Sequence, residues 1–174
     1  MSERPDEGFR EYVHERLPAL QRLAYLLSQD RHRADDLVQD ALVKLYLKWD
    51  RARAATDSHA YARTTLVRTF LSERRTNWAR RVVLVDRLPD TAASHDPDAA
   101  SAVAVRAALA ALPPRQRAVI ALRYYSDLSV EETGQTLGCS PGTVKSQTAK
   151  GLAALRRALP NVEPDSAATA RTRS

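Results

Sequence analysis

A single cysteine, Cys139, occurs among the 174 residues of this chain. One thiol cannot form an internal disulfide, and it cannot supply the cluster of thiolates that many structural metal sites use. The four histidines are scattered and lack the spacing of metal ligands. We therefore expect no metal site and no cofactor.

Long hydrophobic runs are missing as well. No stretch approaches the roughly 20 apolar residues that a membrane-spanning helix needs. The N-terminus, MSERPDEGFR, contains no apolar core of a signal peptide. The sequence therefore predicts a cytoplasmic protein without a membrane partner.

Glycine is scarce, with five in the whole chain. The chain has no phosphate-binding P-loop and no glycine-rich dinucleotide turn, and the motifs HExxH and GxSxG do not occur. Glu131 and Glu132 form a carboxylate pair, but neighbouring residues on a helix point apart. We expect no catalytic residues and no enzymatic activity.

Basic residues are present in excess, with 27 Lys and Arg against 21 Asp and Glu and a formal net charge of +6. Most of the cations are arginines, whose guanidinium groups make forked contacts to phosphate. This balance favours a nucleic-acid partner. An arginine bias inherited from a GC-rich genome would give the same excess, so charge alone does not decide.

Apolar residues recur at three and four positions along most of the chain, which predicts an all-α protein. We expect a first helix over about 7–27, kinked or split at Pro18, and a second from about Asp30. Residues 51–59 are typical of a turn, and Ser58 is a candidate N-cap for a third helix.

Residues 86–100 are acidic, contain two prolines and have almost no apolar side chains, a composition typical of a linker. The polar C-terminal stretch is typical of disorder. The sequence therefore predicts two small helical domains, 7–82 and 102–160, joined by a flexible acidic linker, 83–101, and followed by a disordered tail, 161–174.

The stretch from Leu128 to Leu159 has the signals of a helix-turn-helix. Ser129 and Glu132 form a capping box, Gly138 suits a turn with positive φ, and Ser140 with Pro141 starts a second helix. The apolar residues of this second helix form one stripe, so short polar and cationic side chains lie on its outer face, where they can contact DNA bases and phosphates. An ordinary helical hairpin with a solvated face is the alternative. The outer residues are Thr143, Lys145, Ser146, Gln147, Ala149 and Lys150.

The segment LPPRQRAVIALRYYSDLSVEETGQTLGCSPGTVKSQTAKGLAALRRAL, residues 112–159, resembles region 4 of bacterial RNA polymerase sigma factors, and the extracytoplasmic-function (ECF) group most of all. The resemblance implies that the helix-turn-helix reads the −35 promoter element and that the opposite surface binds the flap of the polymerase β subunit. The implied −35 contacts are Ser140, Pro141, Thr143, Lys145, Ser146, Gln147, Ala149 and Lys150.

A second segment, ADDLVQDALVKLYLKW at residues 34–49, resembles the region 2.2 helix of the same family. The resemblance implies that its polar face binds the clamp helices of the β′ subunit of core RNA polymerase. Without the resemblance, the same face would be interpreted as merely solvated. The implied polymerase contacts are Asp36, Gln39, Asp40, Leu42 and Tyr46.

The segment HAYARTTLVRTFLSERRTNWARR, residues 59–81, mixes aromatic residues with arginines, as single-stranded DNA binding requires. It resembles regions 2.3 and 2.4, which implies capture of a melted −10 element with one base flipped out. Phe70 is better explained as core. Many relatives have asparagine where this chain has Arg68, which leaves the preferred −10 base undetermined. The implied −10 contacts are Tyr61, Arg63, Arg68, Thr69, Arg74, Arg75, Trp78, Arg80 and Arg81.

Together the two resemblances predict a sigma factor that binds core RNA polymerase and directs initiation at promoters with −35 and −10 elements. A stand-alone helix-turn-helix regulator is the alternative, and it leaves residues 34–49 unexplained. A sigma-like protein that only titrates a partner stays open, as does an anti-sigma partner. The linker acts either as a nucleic-acid mimic or as a passive tether. Its acidic residues are Asp86, Asp90, Asp96 and Asp98.

Overall fold

The computed structural model describes residues 5–80 and 97–159, and side chains over 7–73 and 101–159. Every regular element within these ranges is helical, which confirms the all-α prediction. In chain order they are α1 (Pro5–Ser28), α2 (Arg31–Tyr46), α3 (Trp49–Arg53), α4 (Ser58–Arg80), α5 (Pro97–Ala111), α6 (Pro114–Ile120), a π-helical turn (Ala121–Tyr125), α7 (Val130–Leu137) and α8 (Pro141–Ala158). Among the described residues, none of these helices is long and apolar enough to cross a membrane.

The first four helices pack around a core supplied by α1, α2 and α4. Helix α2 begins next to Asp30, as predicted, and Asp30 caps it, because its side chain accepts a hydrogen bond from the Arg33 amide at 3.0 Å. An apolar stripe of this helix is buried against α1 and α4. Its members are Ala34, Leu37, Val38, Ala41 and Leu45.

Helix α1 runs without a break through Pro18, which excludes the split that the proline allowed. Two other local predictions for this half were wrong. Asp57, not Ser58, caps α4, since its Oδ1 accepts from the Ala60 amide at 2.9 Å. Helix α3, Trp49–Arg53, begins before the predicted turn at 51–59 and occupies its first residues.

The second half consists of α5 to α8. Helix α5 begins at Pro97, so residues 97–101, predicted as linker, are helical. Asp86, Asp90 and Asp96 of the predicted linker, the side chain of Asp98, and the predicted disordered tail at 161–174 lie outside the described residues. The two halves also contact each other, α7 against α4 and the π-helical turn against α1, which the sequence did not predict.

Candidate nucleic-acid interface

The first helix of the helix-turn-helix, α7, is fixed at its start by the predicted capping box. Ser129 Oγ accepts from the Glu132 amide at 3.0 Å, and Glu132 Oε2 accepts from the Ser129 amide at 2.7 Å. Because the hydrogen bonds from Ser129 favour the carboxylate, they lower the pKa of Glu132. Helix α7 is therefore anchored at one end by interactions local to the sequence.

The turn after α7 depends on two glycines. Gly138 has φ of 64°, a left-handed conformation that favours glycine. Gly134 lies under the turn: its carbonyl accepts from the Cys139 amide at 2.9 Å, and a Cβ added there would lie 2.7 Å from the Cys139 carbonyl oxygen. The turn predicted at Gly138 is confirmed, and the Cys139 side chain that follows it is half-buried.

The second helix, α8, begins as predicted, with Ser140 Oγ accepting from the Thr143 amide at 3.2 Å and Pro141 in the first turn. Its inner face is held by Val144, which is fully buried, and by Gly151. A Cβ on Gly151 would lie 3.0 Å from Ile120 Cγ1, so α8 crosses α6 at close range.

The outer face of α8, which we call the recognition face, is open to solvent. Short side chains and two ammonium groups project from one side of a supported helix, an arrangement that suits the major groove of DNA. Of the eight predicted −35 contacts, Thr143 and Gln147 are half-buried, and the others are exposed: Ser140, Pro141, Lys145, Ser146, Ala149 and Lys150.

Helix α4 carries the predicted −10 contacts. Tyr61 and Arg63 are half-buried, Arg68 is exposed, and Phe70 is part of the core as expected. Thr69 requires a correction: it is 3 % exposed and its hydroxyl accepts from Lys44 Nζ at 3.1 Å, so it positions Lys44 and does not face DNA. The side chains of Arg74, Arg75, Trp78 and Arg80, and the whole of Arg81, lie outside the described residues.

The predicted polymerase contacts lie on α2. Asp36, Gln39 and Asp40 are exposed there, Tyr46 is 47 % exposed beside the ring of Phe9, and Leu42 is half-buried against the core.

Two further residues, which were not predicted from the sequence, extend this surface. Val43 is 59 % exposed and Leu47 is 76 % exposed. They follow Asp36 and Asp40 at helical spacing, which makes one stripe with an acidic half and an apolar half. The signal was available, since both residues are apolar yet fall outside the buried stripe of α2. We call Asp36, Gln39, Asp40, Val43 and Leu47 the α2 outer face.

Glu73 on α4 lies close enough to Asp40 of this surface to interact with it electrostatically. Burial raises its pKa, and the nearby Asp40 carboxylate raises it further, while Lys44 opposes the shift. A carboxylate half-buried next to another carboxylate destabilises the folded state when both are ionised. Repulsion between ionised Glu73 and Asp40 of the α2 outer face therefore destabilises the folded state.

We expect Glu73→Gln to stabilise the protein at neutral pH. The folded-state pKa of Glu73 lies above its unfolded value. The destabilisation by ionised Glu73 is therefore absent below the unfolded pKa and fully present once the pH exceeds the folded pKa. Thermal melting should show a gain of about 1–2 °C at neutral pH that disappears in acid. Glu11→Gln, on the exposed side of α1, serves as the control. An equal gain at all pH values would contradict this electrostatic account.

Within the described residues, no group of three or more His, Cys, Asp or Glu side chains could hold a metal ion. The candidate surfaces are instead helical: the recognition face on α8, the side of α4 that carries Arg63 and Arg68, and the α2 outer face.

Family comparisons agree with this arrangement. The family model "Sigma-70 region 2" matches residues 12–80, and "Sigma-70, region 4" matches residues 102–155. The first range contains α2 and α4, and the second contains the helix-turn-helix.

Individual relatives match across both halves. The RNA polymerase sigma-E factor of Streptomyces avermitilis is 38% identical over 168 residues, 94% of this chain and 91% of that protein. The ECF RNA polymerase sigma factor SigM of Mycobacterium tuberculosis is 32% identical over 155 residues, 88% of this chain and 76% of that protein. A solved structure of the sigma factor RpoE from Bartonella quintana, in complex with the anti-sigma factor NepR, superimposes with a TM-score of 0.70 at 28% identity, covering 90% of this chain and 99% of that one. This chain therefore belongs to the ECF group of the sigma-70 family of bacterial RNA polymerase sigma factors.

Proposed function

We propose that this sigma factor binds core RNA polymerase through the α2 outer face and reads the promoter through α8 and α4. The observation that carries the proposal is the exposed acidic and apolar stripe on α2. Exposed apolar side chains grouped beside carboxylates are typical of a protein-binding face, which a subunit of a polymerase complex needs. The alternative of a stand-alone regulator is therefore not favoured.

Reading of the −35 element is assigned to the recognition face. Ser140, Thr143 and the first amides of α8 position the helix by contacting phosphate, as helix N-termini do. Lys145 and Lys150 add charge contacts, while Ser146, Gln147 and Ala149 reach the base edges. Since phosphate contacts release counterions, promoter affinity should fall steeply with salt.

Capture of the −10 element is assigned to α4. Tyr61 supplies a planar surface, and Arg63 and Arg68 supply charge, the combination that binds unstacked single strands. The sequence adds five further candidate −10 contacts: Arg74, Arg75, Trp78, Arg80 and Arg81. Flipping a base out of the stack costs a few kcal/mol, which these contacts would have to offset. The guanidinium of Arg68 presents only donors, so it would favour a base edge or phosphate rich in acceptors.

We assign the α2 outer face, with Leu42 and Tyr46 at its edge, to binding of the β′ clamp helices of core polymerase. The surface of the second half opposite the recognition face is assigned to the β flap. We place the polymerase-binding and −10 domain at residues 7–82 and the −35 domain at residues 102–160. The chain acts in the cytoplasm, contributes no catalytic step, and has an anti-sigma factor as a candidate further partner.

The test is transcription in vitro with core RNA polymerase, this protein and genomic promoter fragments. We expect specific start sites that appear only when core and this protein are both present. Specific DNA binding by the isolated chain, with no complex with core, would support the stand-alone regulator instead.

A pair of variants separates the two surfaces. Asp36→Ala combined with Asp40→Ala should weaken core binding by about tenfold or more while leaving the recognition face unchanged. Lys150→Ala should weaken binding to −35 DNA by about five- to tenfold while leaving core binding intact. Arg157→Ala, an exposed cation in the last turn of α8, is the control for Lys150. Equal loss of both activities in either variant would contradict the assignment of surfaces.

A further inference from the structure

Helix α1 contacts the start of α4 and brings several polar and charged groups together there. The Tyr12 hydroxyl of α1 donates to the Ser58 carbonyl, at the first residue of α4, at 3.0 Å. Arg16 lies one helical turn after Tyr12 and therefore on the same face of α1. On α4, His59 and Arg63 are also one turn apart. We call Arg16, His59 and Arg63 the junction cluster.

The three side chains of the junction cluster are close enough to interact electrostatically. Burial lowers the pKa of His59, and the positive charges of Arg63 and Arg16 lower it further. His59 is therefore neutral at neutral pH, and one of its ring nitrogens carries a proton that it can donate. Two permanent positive charges and one neutral donor thus meet where α1 contacts α4.

Each member of the cluster has a buried nitrogen without a partner. Arg16 Nε, His59 Nδ1 and Arg63 Nε are covered from water, and within the described part of the chain none of them has a hydrogen-bond partner. A buried polar atom that is left unsatisfied destabilises the fold, so it normally has a partner in the protein or in a bound water or ion. Three such atoms in one cluster point to an acceptor that comes from outside the chain.

A phosphate group has the matching chemistry. Guanidinium groups are always charged and offer only donors, so the cluster favours a ligand with negative charge and several acceptor atoms. The oxygens of one phosphate can accept from both arginines and from the imidazole together. The Arg16 side chain is 40 % exposed, and His59 and Arg63 are half-buried, so a ligand can reach the cluster from solvent.

Three carboxylates border the cluster and would repel an anion. Asp57 is occupied as the cap of α4, where its Oδ1 accepts from a backbone amide at 2.9 Å. Glu132, near Arg63, accepts from the backbone at the start of α7 at 2.7 Å. Glu15 Oε1 lies 3.1 Å from Arg16 Nη2, but the Glu15 side chain is 66 % exposed. Since exposed ion pairs contribute little to stability, Glu15 can move away from an incoming phosphate.

We propose that Arg16, His59 and Arg63 bind one phosphate group, and that the backbone of the melted −10 strand supplies it. This inference rests on the proposed −10 role of α4. It extends the DNA-binding surface from α4 onto α1, where Arg16 has no other assigned role. Free phosphate has the same chemistry, so one test uses inorganic phosphate and another uses the strand.

The first test measures thermal melting of the full chain as inorganic phosphate replaces chloride at constant ionic strength. Because a ligand that binds only the folded state stabilises it, we expect a saturable rise of about 2–4 °C in the melting temperature. Arg16→Gln should remove this rise. Arg10→Gln neutralises an exposed arginine on the same helix and should keep it, so it is the matched control.

The second test neutralises the phosphates of the strand one at a time. Core polymerase with this chain binds promoter fragments that carry a single uncharged methylphosphonate linkage in the −10 region. At the linkage that the cluster contacts, we expect a loss of affinity of roughly tenfold in the unmodified chain and in Arg10→Gln. In Arg16→Gln the same linkage should cause no further loss, because the contact is already absent.

A variant with the opposite expected effect guards against misfolding of Arg16→Gln. Glu15→Gln removes the carboxylate that competes for the Arg16 guanidinium, so phosphate should bind roughly two- to threefold more tightly. Arg16→Lys keeps the charge but not the forked donors, and it should bind with intermediate affinity. Weaker phosphate binding in Glu15→Gln would contradict the inference, since a purely structural role of the pair predicts that direction.

The outcomes separate the two sources of phosphate. A melting response that Arg16→Gln removes, without any sensitive linkage in the strand, would overturn the strand as the source and assign the site to free phosphate. If neither response depends on Arg16, the inference is wrong and water satisfies the buried nitrogens. The melting test needs no polymerase, so absence of a complex with core and of start sites would be a failure of the proposed function alone.

Discussion

Replacing Gly134 with alanine is expected to disrupt the helix-turn-helix and to abolish binding to −35 DNA. The added Cβ would lie 2.7 Å from the Cys139 carbonyl oxygen, and a backbone atom cannot move aside as a flexible side chain can. The Gly134 carbonyl also accepts from the Cys139 amide, so separating the two groups breaks the turn as well as the packing. We expect a loss of about 1–3 kcal/mol in the free energy of unfolding.

The measurement is urea denaturation together with binding to a −35 duplex, and Gly142→Ala is the control. Gly142 lies in the first turn of α8, and its nearest heavy atom to an added Cβ is Ser140 Oγ at 3.9 Å, an ordinary contact. Alanine there should be neutral or slightly stabilising, by up to about 1 kcal/mol. If Gly134→Ala behaves like Gly142→Ala, the close approach of α7 to the turn is wrong.

Arg117→Met is expected to be the most destabilising conservative change between the halves. The Arg117 guanidinium donates to three carbonyls, those of Leu27, Ala110 and Leu112, at 2.7 to 3.0 Å. Methionine keeps the aliphatic volume but leaves buried acceptors without this donor, which costs about 1–3 kcal/mol for each unsatisfied group. Because one of the carbonyls belongs to α1, the loss should weaken the coupling of the two halves as well as their stability.

Denaturation followed by tryptophan fluorescence and by circular dichroism tests this expectation. Both Trp49 and Trp78 are in the first half, so fluorescence reports that half, while circular dichroism reports all the helices. We expect the two transitions to coincide in the unmodified chain and to separate in Arg117→Met. Arg117→Lys keeps a cation with three donors and should lose less. A loss below about 1 kcal/mol with coincident transitions would show that Arg117 does not couple the halves.

The helix-turn-helix could be predicted from the sequence because its determinants act over a few residues. Two caps satisfy backbone amides next to them, the first from Ser129 with Glu132 and the second from Ser140, which Pro141 follows. Gly138 supplies the positive φ of the turn between the helices. The buried stripe of α2 was predictable for a similar reason, since helical periodicity alone places its members on one face. Local signals of this kind were therefore sufficient to predict the helix-turn-helix of the second half and the buried face of α2 in the first.

Features that depend on tertiary contacts could not be predicted. Asp57 and Ser58 are both good caps, and the structure uses Asp57, while Tyr12 of α1 donates to the Ser58 carbonyl. Thr69 looks like a DNA-facing polar residue until Lys44 is seen to bind its hydroxyl. Arg68 meets α7 across 67 and 68 residues of sequence, a separation at which no local pattern gives information.

The tight crossing of α8 over α6 has a consequence for the evolution of promoter preference. The inner face of α8 is constrained by the buried Val144 and by Gly151, where an added Cβ would crowd the Ile120 side chain. The exposed residues on its other side make few demands on the fold, since exposed substitutions usually change stability by less than about 0.5 kcal/mol. Under the proposed −35 role of the recognition face, mutations at Lys145, Ser146 and Ala149 would therefore change promoter preference without passing through an unstable intermediate.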